Sequence, residues 1–167
     1  MIEYMVGRSS SVLFGSFSLF LLMVGFSIIP TATAESLVES ARAHERTLLA
    51  QSFVTEKLWI WQKRLGLQDW NIAVVVARAS ELKPRTLGNI HWELDKKTAI
   101  IRVLDPADYK LPFKEMLQDL EFTVVHELVH LDIAPVLADV QRSDANRREE
   151  EHAVNHVADA LLRLDRR

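Results

Sequence analysis

The stretch Val124-Val125-His126-Glu127-Leu128-Val129-His130-Leu131 contains two histidines four residues apart. Side chains at this spacing lie on one face of an α-helix, so His126 and His130 can offer imidazole nitrogens to the same metal ion. Glu127 directly follows His126, close enough to act on a water molecule at that metal. The sequence therefore predicts two metal ligands and a general base on a single helix.

The residues around this motif favour a buried helix. Apolar side chains occupy most of its positions, and the polar groups stand where a metal site needs them. These apolar residues are Leu120, Val124, Val125, Leu128, Val129 and Leu131. We predict that the helix covers residues 113–133 and that Pro135 marks its end. The alternative is a core helix on which the two histidines face solvent without binding a metal.

Three short strands are predicted before this helix. Asn71–Ala77 is apolar and rich in β-branched residues, residues 88–94 alternate between apolar and polar, and Thr98–Leu104 is the third candidate. Only Asp95-Lys96-Lys97 separates the second strand from the third, so these two should form an antiparallel hairpin. The predicted sheet is therefore small and mainly antiparallel.

Helices are predicted at both ends of the folded region. Residues 35–65 contain almost no helix breakers, and Gly66 is a typical C-terminal stop, so they form one long helix or two. Residues 147–163 form the last helix, with one apolar face. That face consists of Val154, Val157, Ala158 and Leu161. The sequence thus predicts one α+β domain over residues 35–167, with a long N-terminal helix, the small sheet, the histidine helix and a C-terminal glutamate helix.

Residues 1–34 are predicted to be a targeting segment that precedes the domain. Arg8 supplies a positive charge, residues 12–29 form an apolar run, and Ala32-Thr33-Ala34 resembles a cleavage site. These features favour a secretory signal peptide and a secreted or periplasmic protein. One alternative is an uncleaved membrane anchor, the only case in which a membrane is a partner. Another is a start codon assigned too early, ahead of a cytoplasmic domain.

Composition restricts the partners and the metal ligands. The 167 residues have a formal net charge of −3 and no basic stripe, which makes nucleic acid an unsuitable partner. Cysteine is absent from the sequence, so disulfides and thiolate metal sites are excluded. Any metal ion must be held by histidines and carboxylates.

A catalytic zinc ion usually has a third protein ligand. The last helix is its best source, because Glu150 and Glu151 lie toward the apolar face, four and three residues before Val154. We choose Glu151 over Glu150, because Asn155 follows Glu151 by one turn. Asn155 could then hydrogen-bond the back of His126 or the ligand carboxylate. The alternative for these glutamates is a solvated helix N-terminus, where the helix dipole favours negative charge.

With these residues assigned, the chain resembles the zincin metallopeptidases of the gluzincin type, in their minimal single-domain form. The resemblance covers about residues 71–162 and rests on His126, Glu127, His130 and a glutamate about 20 residues further on. It implies one zinc ion held by His126, His130 and Glu151, and an edge strand that receives an extended peptide. That edge is residues 88–94 or 98–103. The family's Asn-Glu pair and trailing Asp on the glutamate helix are not reproduced.

The predicted function is zinc-dependent hydrolysis of peptide bonds in a peptide or protein substrate. Glu127 would take a proton from the attacking water as general base, and Tyr109 and His156 are candidate donors to the oxyanion. Two other classes stay open. One is a non-catalytic, zinc-stabilised binding module whose site is closed by a fourth ligand such as His152 or His91. The other is a helical envelope protein without metal.

Overall fold

The computed structural model describes residues 32–167. The predicted signal peptide or membrane anchor therefore lies outside the described residues, apart from residues 32–34, which form the start of the first helix. Within the part of the chain that is described, no helix is both long enough and apolar enough to cross a membrane.

The fold belongs to the α+β class, as predicted, with three helices and a small three-stranded sheet. The elements are α1 (Ala32–Arg64), β1 (Asn71–Ala77), β2 (Gly88–Glu93), β3 (Thr98–Leu104), α2 (Phe113–Leu137) and α3 (Asp144–Asp165). Short 3₁₀ helices follow β1 and β3. The predicted long N-terminal helix is a single helix that ends before Gly66, whose φ of 74° is a backbone conformation that glycine readily adopts.

The sheet is mixed, with the strand order β1-β3-β2. The predicted antiparallel hairpin of β2 and β3 is confirmed, but β1 pairs with β3 in parallel. The expectation of a mainly antiparallel sheet is therefore wrong. Parallel neighbours need a long connection, and the 20 residues between Ala77 and Thr98 provide it by passing through β2. The hairpin occupies one side of β3, so β1 joins the other side.

Helix α2 lies at the centre of the hydrophobic core, in contact with α1, α3, β2 and β3. The six apolar residues predicted to be buried on it are all buried, at 4% exposure or less. They pack with Val54 and Trp61 of α1 and with Ile101 and Val103 of β3. Burial against these four elements fixes the rotation of α2, and hence the direction in which its histidines point.

The prediction that Pro135 ends this helix is wrong, because α2 continues to Leu137. A proline inside a helix lacks the N–H that would bond to the carbonyl four residues earlier. Pro135 lies in the last turn of α2, so the helix loses this one bond near its end, and the preceding Ala134 is buried. Residues 138–143 remain as the linker to α3.

Helix α3 begins at Asp144, three residues earlier than predicted, because Ser143 caps it by accepting a hydrogen bond from the backbone N–H of Asn146 at 3.1 Å. Its buried face consists of Val154, Ala158 and Leu162, with Leu161 packed beside it. Val157 was predicted on this face but is 46% exposed. Buried positions spaced by four residues keep one line along the helix, and Val157 lies to the side of that line.

Candidate metal centre

Three side chains from α2 and α3 bring one ligand atom each to a common point. The Nε2 atoms of His126 and His130 are 3.1 Å apart. The Glu151 Oε2 atom lies 3.4 Å from the first nitrogen and 3.5 Å from the second. Tetrahedral zinc with bonds of about 2.0–2.1 Å separates its ligand atoms by about 3.3 Å. This group could therefore hold a metal ion with little movement of the side chains.

Glu150, the rival candidate for the third ligand, contacts the opposite side of His130. Its Oε1 lies 3.0 Å from the His130 Nδ1, and its other oxygen accepts a 2.6 Å hydrogen bond from Arg142. A carboxylate at Nδ1 favours the tautomer with the proton there, which leaves the Nε2 lone pair facing the cluster. Glu150 thus orients His130, while Glu151 occupies the ligand position.

Consecutive residues of a helix point about 100° apart, which explains why the adjacent Glu150 and Glu151 contact different atoms of the histidines. The side chain of Glu150 is turned toward α2 and is only 11% exposed, whereas that of Glu151 is 55% exposed. Glu151 therefore reaches the ligand position from the solvent side of the helix pair, and Glu150 reaches His130 from within it.

The His126 ring is held differently from that of His130. Burial, and then the neighbouring His130, lower the pKa of His126, while the negative charge of Glu151 and the nearby side chain of Asn155 act in the opposite direction. A lowered pKa keeps the imidazole neutral, the form that binds metals. Asn155 is thus close to this ring, but the buried Nδ1 of His126 has no hydrogen-bond partner in residues 32–167. The predicted contact from Asn155 to the back of His126 is not formed.

Glu127, the predicted general base, is buried beside the ligands at 7% exposure. Burial, and next the negative charge of Glu151, raise its pKa to about 8, and Lys83 partly opposes this. A divalent cation in the cluster would act in the same direction as Lys83, because positive charge stabilises a carboxylate. A carboxylate whose pKa is adjustable around neutrality can both accept and return a proton.

Gly88 brings β2 directly against the part of α2 that carries Glu127. A Cβ at this position would lie 2.4 Å from the Thr123 methyl, 2.7 Å from the Arg102 carbonyl oxygen and 3.6 Å from Glu127 Oε1. The first two distances are shorter than van der Waals contact, so only glycine allows this approach. The close approach makes β2 one wall of the cleft above the cluster.

That cleft has a volume of about 450 Å³ and lies between β2, α2 and α3. All three ligands and Glu127 line it, together with apolar surface from Ile90, Trp92 and Phe122. A cavity that combines apolar walls with a few convergent polar groups is the usual form of a small-molecule or peptide site. The three candidate ligands therefore line a space that a small molecule or a peptide can enter.

Within the described residues, β2 is the strand with a free edge beside this cleft, since β3 is central. The Leu104 N–H donates to the Leu87 carbonyl at 2.9 Å, in the register of the β2–β3 ladder. Hydrogen-bonded pairs alternate along antiparallel strands, so Gly88, Ile90 and Trp92 direct their backbone groups to the open edge. Of the two strands considered as the edge, β3 is thus excluded.

Four residues that sequence reasoning considered lie outside the cleft. The Tyr109 hydroxyl donates to Asp119 at 2.8 Å, and the exposed rings of His152 and His156 contact each other at a tilt of 43°, with centroids 4.3 Å apart. His91 is exposed on the face of β2 that points away from α2, because side chains alternate along a strand. In the described part of the chain, none of them is placed as a fourth ligand or an oxyanion donor.

Sequence reasoning missed the contribution of Arg142 and the approach of Gly88. Arg142 lies in the linker before α3, where an arginine is unremarkable, and only the fold brings it to Glu150. Gly88 follows a loop and begins a strand, so that its glycine identity suggests a turn. A cleft lined by basic residues was likewise not visible in the sequence, because these residues come from separate segments.

Comparison with protein-family models, with curated proteins and with solved structures found no match to this chain.

Proposed function

We propose that this chain is a zinc-dependent peptidase of the minimal, gluzincin-like type, with Glu127 as its general base. The observation that carries the proposal is the triangle of His126 Nε2, His130 Nε2 and Glu151 Oε2, with sides of 3.1, 3.4 and 3.5 Å. Two histidines and one glutamate, with an open fourth position toward a cleft, match the ligand set of catalytic zinc in peptidases. Nitrogen and oxygen donors without thiolates also suit other borderline divalent ions, and zinc is the one we assign.

Zinc, when bound, supplies the positive charge that acidifies a water molecule and polarises the scissile carbonyl. Glu127 holds this water, accepts its proton and delivers the proton to the leaving nitrogen. Glu150 and Arg142 keep His130 in the tautomer that presents Nε2. The free edge of β2 pairs with the substrate backbone and holds the peptide in extended form across the cleft.

The alternative of a closed, non-catalytic zinc site requires a fourth protein ligand. The candidates for that ligand were His152 and His91, and both are exposed and away from the cluster. An open position facing a cleft favours the peptidase. Coordination is also the direct way to separate the two functions, because X-ray absorption of the zinc protein counts its nitrogen and oxygen ligands.

The test of the proposal is the Glu127→Gln variant, which removes the base without changing the shape of the side chain. We expect wild type and variant to bind about one zinc ion per chain, and hydrolysis to fall by about 10²–10⁴-fold in the variant. Metal analysis and cleavage of a peptide library measure the two properties. Glu149→Gln serves as control, because Glu149 is exposed and outside the cleft. Undiminished hydrolysis by Glu127→Gln would exclude this mechanism.

We also propose, from residues 1–34, that the peptidase acts outside the cytoplasm. Cleavage after Ala34 would remove only the first residues of α1, which begins at Ala32. N-terminal sequencing of the protein recovered from its cells is the measurement. A chain that begins at Glu35 supports a signal peptide, and an intact apolar segment in the membrane fraction supports an anchor.

A further inference from the structure

The cleft above the metal centre is bordered by basic side chains, which we call the cationic rim. The rim consists of Lys83, Arg85, Arg142 and Arg147. The first two come from the loop that leads into β2, and the other two come from the linker and the first turn of α3. Positive charge therefore stands on both sides of the space that a substrate would occupy.

Most of this positive charge is not neutralised by the protein. Arg142 pairs with Glu150 at 2.6 Å, but within residues 32–167 the other three members form no ion pair. Three carboxylates also line the cleft: Glu150 is engaged by Arg142 and His130, Glu151 lies at the ligand position, and Glu127 is buried beside it. A divalent cation would add to the positive side, so the loaded cleft is cationic on a chain whose net charge is −3.

Two details place the side chains of the rim in the same cleft as Glu127. Lys83 and Glu127 line the same cleft. Arg85 has a φ of 66°, a left-handed backbone conformation that residues other than glycine and asparagine rarely adopt. Arg85 nevertheless occupies this position and lines the cleft. The conformation of the loop, which arginine does not favour by itself, therefore places its charge there.

We propose that the cationic rim selects peptides that carry a carboxylate next to the bond to be cleaved. This inference rests on the proposed peptidase function and names the substrate class of that site. A cleft with an excess of one sign of charge and with apolar walls strengthens the electric field at a bound ligand, and it raises the local concentration of oppositely charged groups. A carboxylate is the group that a peptide can offer, from an acidic side chain or from its C-terminus.

The experiment uses matched, N-acetylated peptides that have glutamate or glutamine on either side of the cleaved bond. Each is made with an amidated and with a free C-terminus, which separates side-chain from terminal carboxylates. We expect the zinc-loaded protein to have a kcat/KM about tenfold higher for the glutamate or free-terminus form at low ionic strength. The ratio should decline at high salt, because exposed charges are screened.

A rim variant and a control variant test whether the preference comes from the rim. The combined Lys83→Gln and Arg85→Asn substitution removes two charges, and asparagine tolerates the left-handed backbone at position 85. We expect it to lower the ratio of kcat/KM values toward one, with a remainder from Arg142 and Arg147. Lys110→Gln is the control, because Lys110 is exposed and outside the cleft, and it should keep the wild-type ratio.

Binding of the same peptides to the Glu127→Gln protein, followed by fluorescence anisotropy, separates this inference from the proposed function. Tighter binding of the carboxylate forms, reduced in the rim variant, supports the inference. It does so even if wild type hydrolyses no peptide, whereas that absence of hydrolysis would exclude the peptidase proposal. Hydrolysis with equal kcat/KM and equal affinity for both forms overturns the inference and leaves the peptidase proposal standing. The inference is also overturned if the rim variant and wild type prefer the carboxylate peptides to the same degree.

Discussion

At the scale of single residues, the candidate site depends on two neighbouring glutamates that have different partners. Glu151 presents Oε2 to both imidazoles, and Glu150 contacts the His130 Nδ1 while Arg142 holds it. Removing a metal ligand lowers the metal affinity more than removing a group that only orients a ligand. The pair can therefore be separated by titration with zinc.

We expect Glu151→Gln to weaken zinc binding far more than Glu150→Gln, for which a loss of about 10–100-fold is typical of an outer-sphere partner. Competition for zinc against a chromophoric chelator measures both affinities. Arg142→Gln should weaken binding in the same direction as Glu150→Gln, because it frees the carboxylate. Glu149→Gln is the control and should bind as wild type does. A larger loss for Glu150→Gln would exchange the two roles.

Glu127 gives the metal-free protein a pH dependence. Its pKa in the folded state is raised to about 8, from an ordinary value of 4.5, chiefly by burial. The unfolded chain therefore loses this proton first, and stability is reduced as pH rises from about 4.5, with the full reduction above about 8. Below pH 4.5 the carboxyl is neutral in both states and has no such effect.

Replacing Glu127 by glutamine should remove this pH dependence. With chelator present, Glu127→Gln should gain stability relative to wild type as pH rises from 4.5 to 8, by on the order of 3–5 kcal/mol. Urea unfolding at a series of pH values gives the difference. A difference that stays constant across this range would show that Glu127 titrates alike in the folded and unfolded chains.

At the scale of elements, the distance between β2 and α2 determines whether the cleft wall and Glu127 meet. Gly88 makes this contact possible, because a Cβ there would overlap the Thr123 methyl and the Arg102 carbonyl. The overlap with Arg102 is with backbone, which cannot move aside as a flexible side chain can. A methyl group at position 88 must therefore displace the strand.

We expect Gly88→Ala to destabilise the fold by about 1–3 kcal/mol and to lower kcat/KM, because overpacking shifts β2 away from Glu127. Gly66→Ala is a matched control. It meets no atom within 4 Å and lies away from the cleft, but its φ of 74° makes alanine strained. It should lose about 1 kcal/mol through this strain and keep its kcat/KM. Unfolding curves measure the stability of both variants, and kcat/KM is measured under conditions in which both variants are folded. An equal loss of kcat/KM in the two variants would contradict the role of Gly88.

At the scale of the whole molecule, polar side chains of α2 contact the neighbouring helices at two places. The buried Glu121 of α2 accepts a 3.2 Å hydrogen bond from Trp61 Nε1, pairs with Lys57 at 2.9 Å and lies 3.8 Å from Arg166, just beyond α3. The candidate metal centre is the second place, where His126 and His130 of α2 meet Glu151 of α3. A metal ion there would bind the folded chain only, because the unfolded chain separates the ligands.

Zinc should consequently raise the melting temperature. A ligand present at about 100 times its dissociation constant contributes about 2.7 kcal/mol, which corresponds to about 5–10 °C for a domain of this size. Thermal unfolding with zinc and with a chelator measures the shift, and magnesium is the control because it prefers all-oxygen sites. Glu151→Gln should show a smaller shift than wild type. Equal melting temperatures with zinc and with chelator would exclude a metal site on the folded protein.

The sequence by itself determined the elements and the histidine pair. The helical spacing of His126 and His130, the buried apolar positions of α2 and the alternation along β2 depend on periods of 3.6 and 2 residues, which are local properties of the chain. The hairpin of β2 and β3 was predictable for the same reason, because a short turn between two strands leaves little choice of pairing.

Only the tertiary structure decided the rest. The parallel pairing of β1 with β3, the approach of Gly88 to α2 and the different partners of Glu150 and Glu151 depend on contacts between residues far apart in sequence. No local period encodes such contacts, since they arise when amphipathic faces pack and fix the rotation of each element. The sequence could place both glutamates near the histidines, but only the packed orientation of α3 against α2 separated the ligand position from the contact to His130.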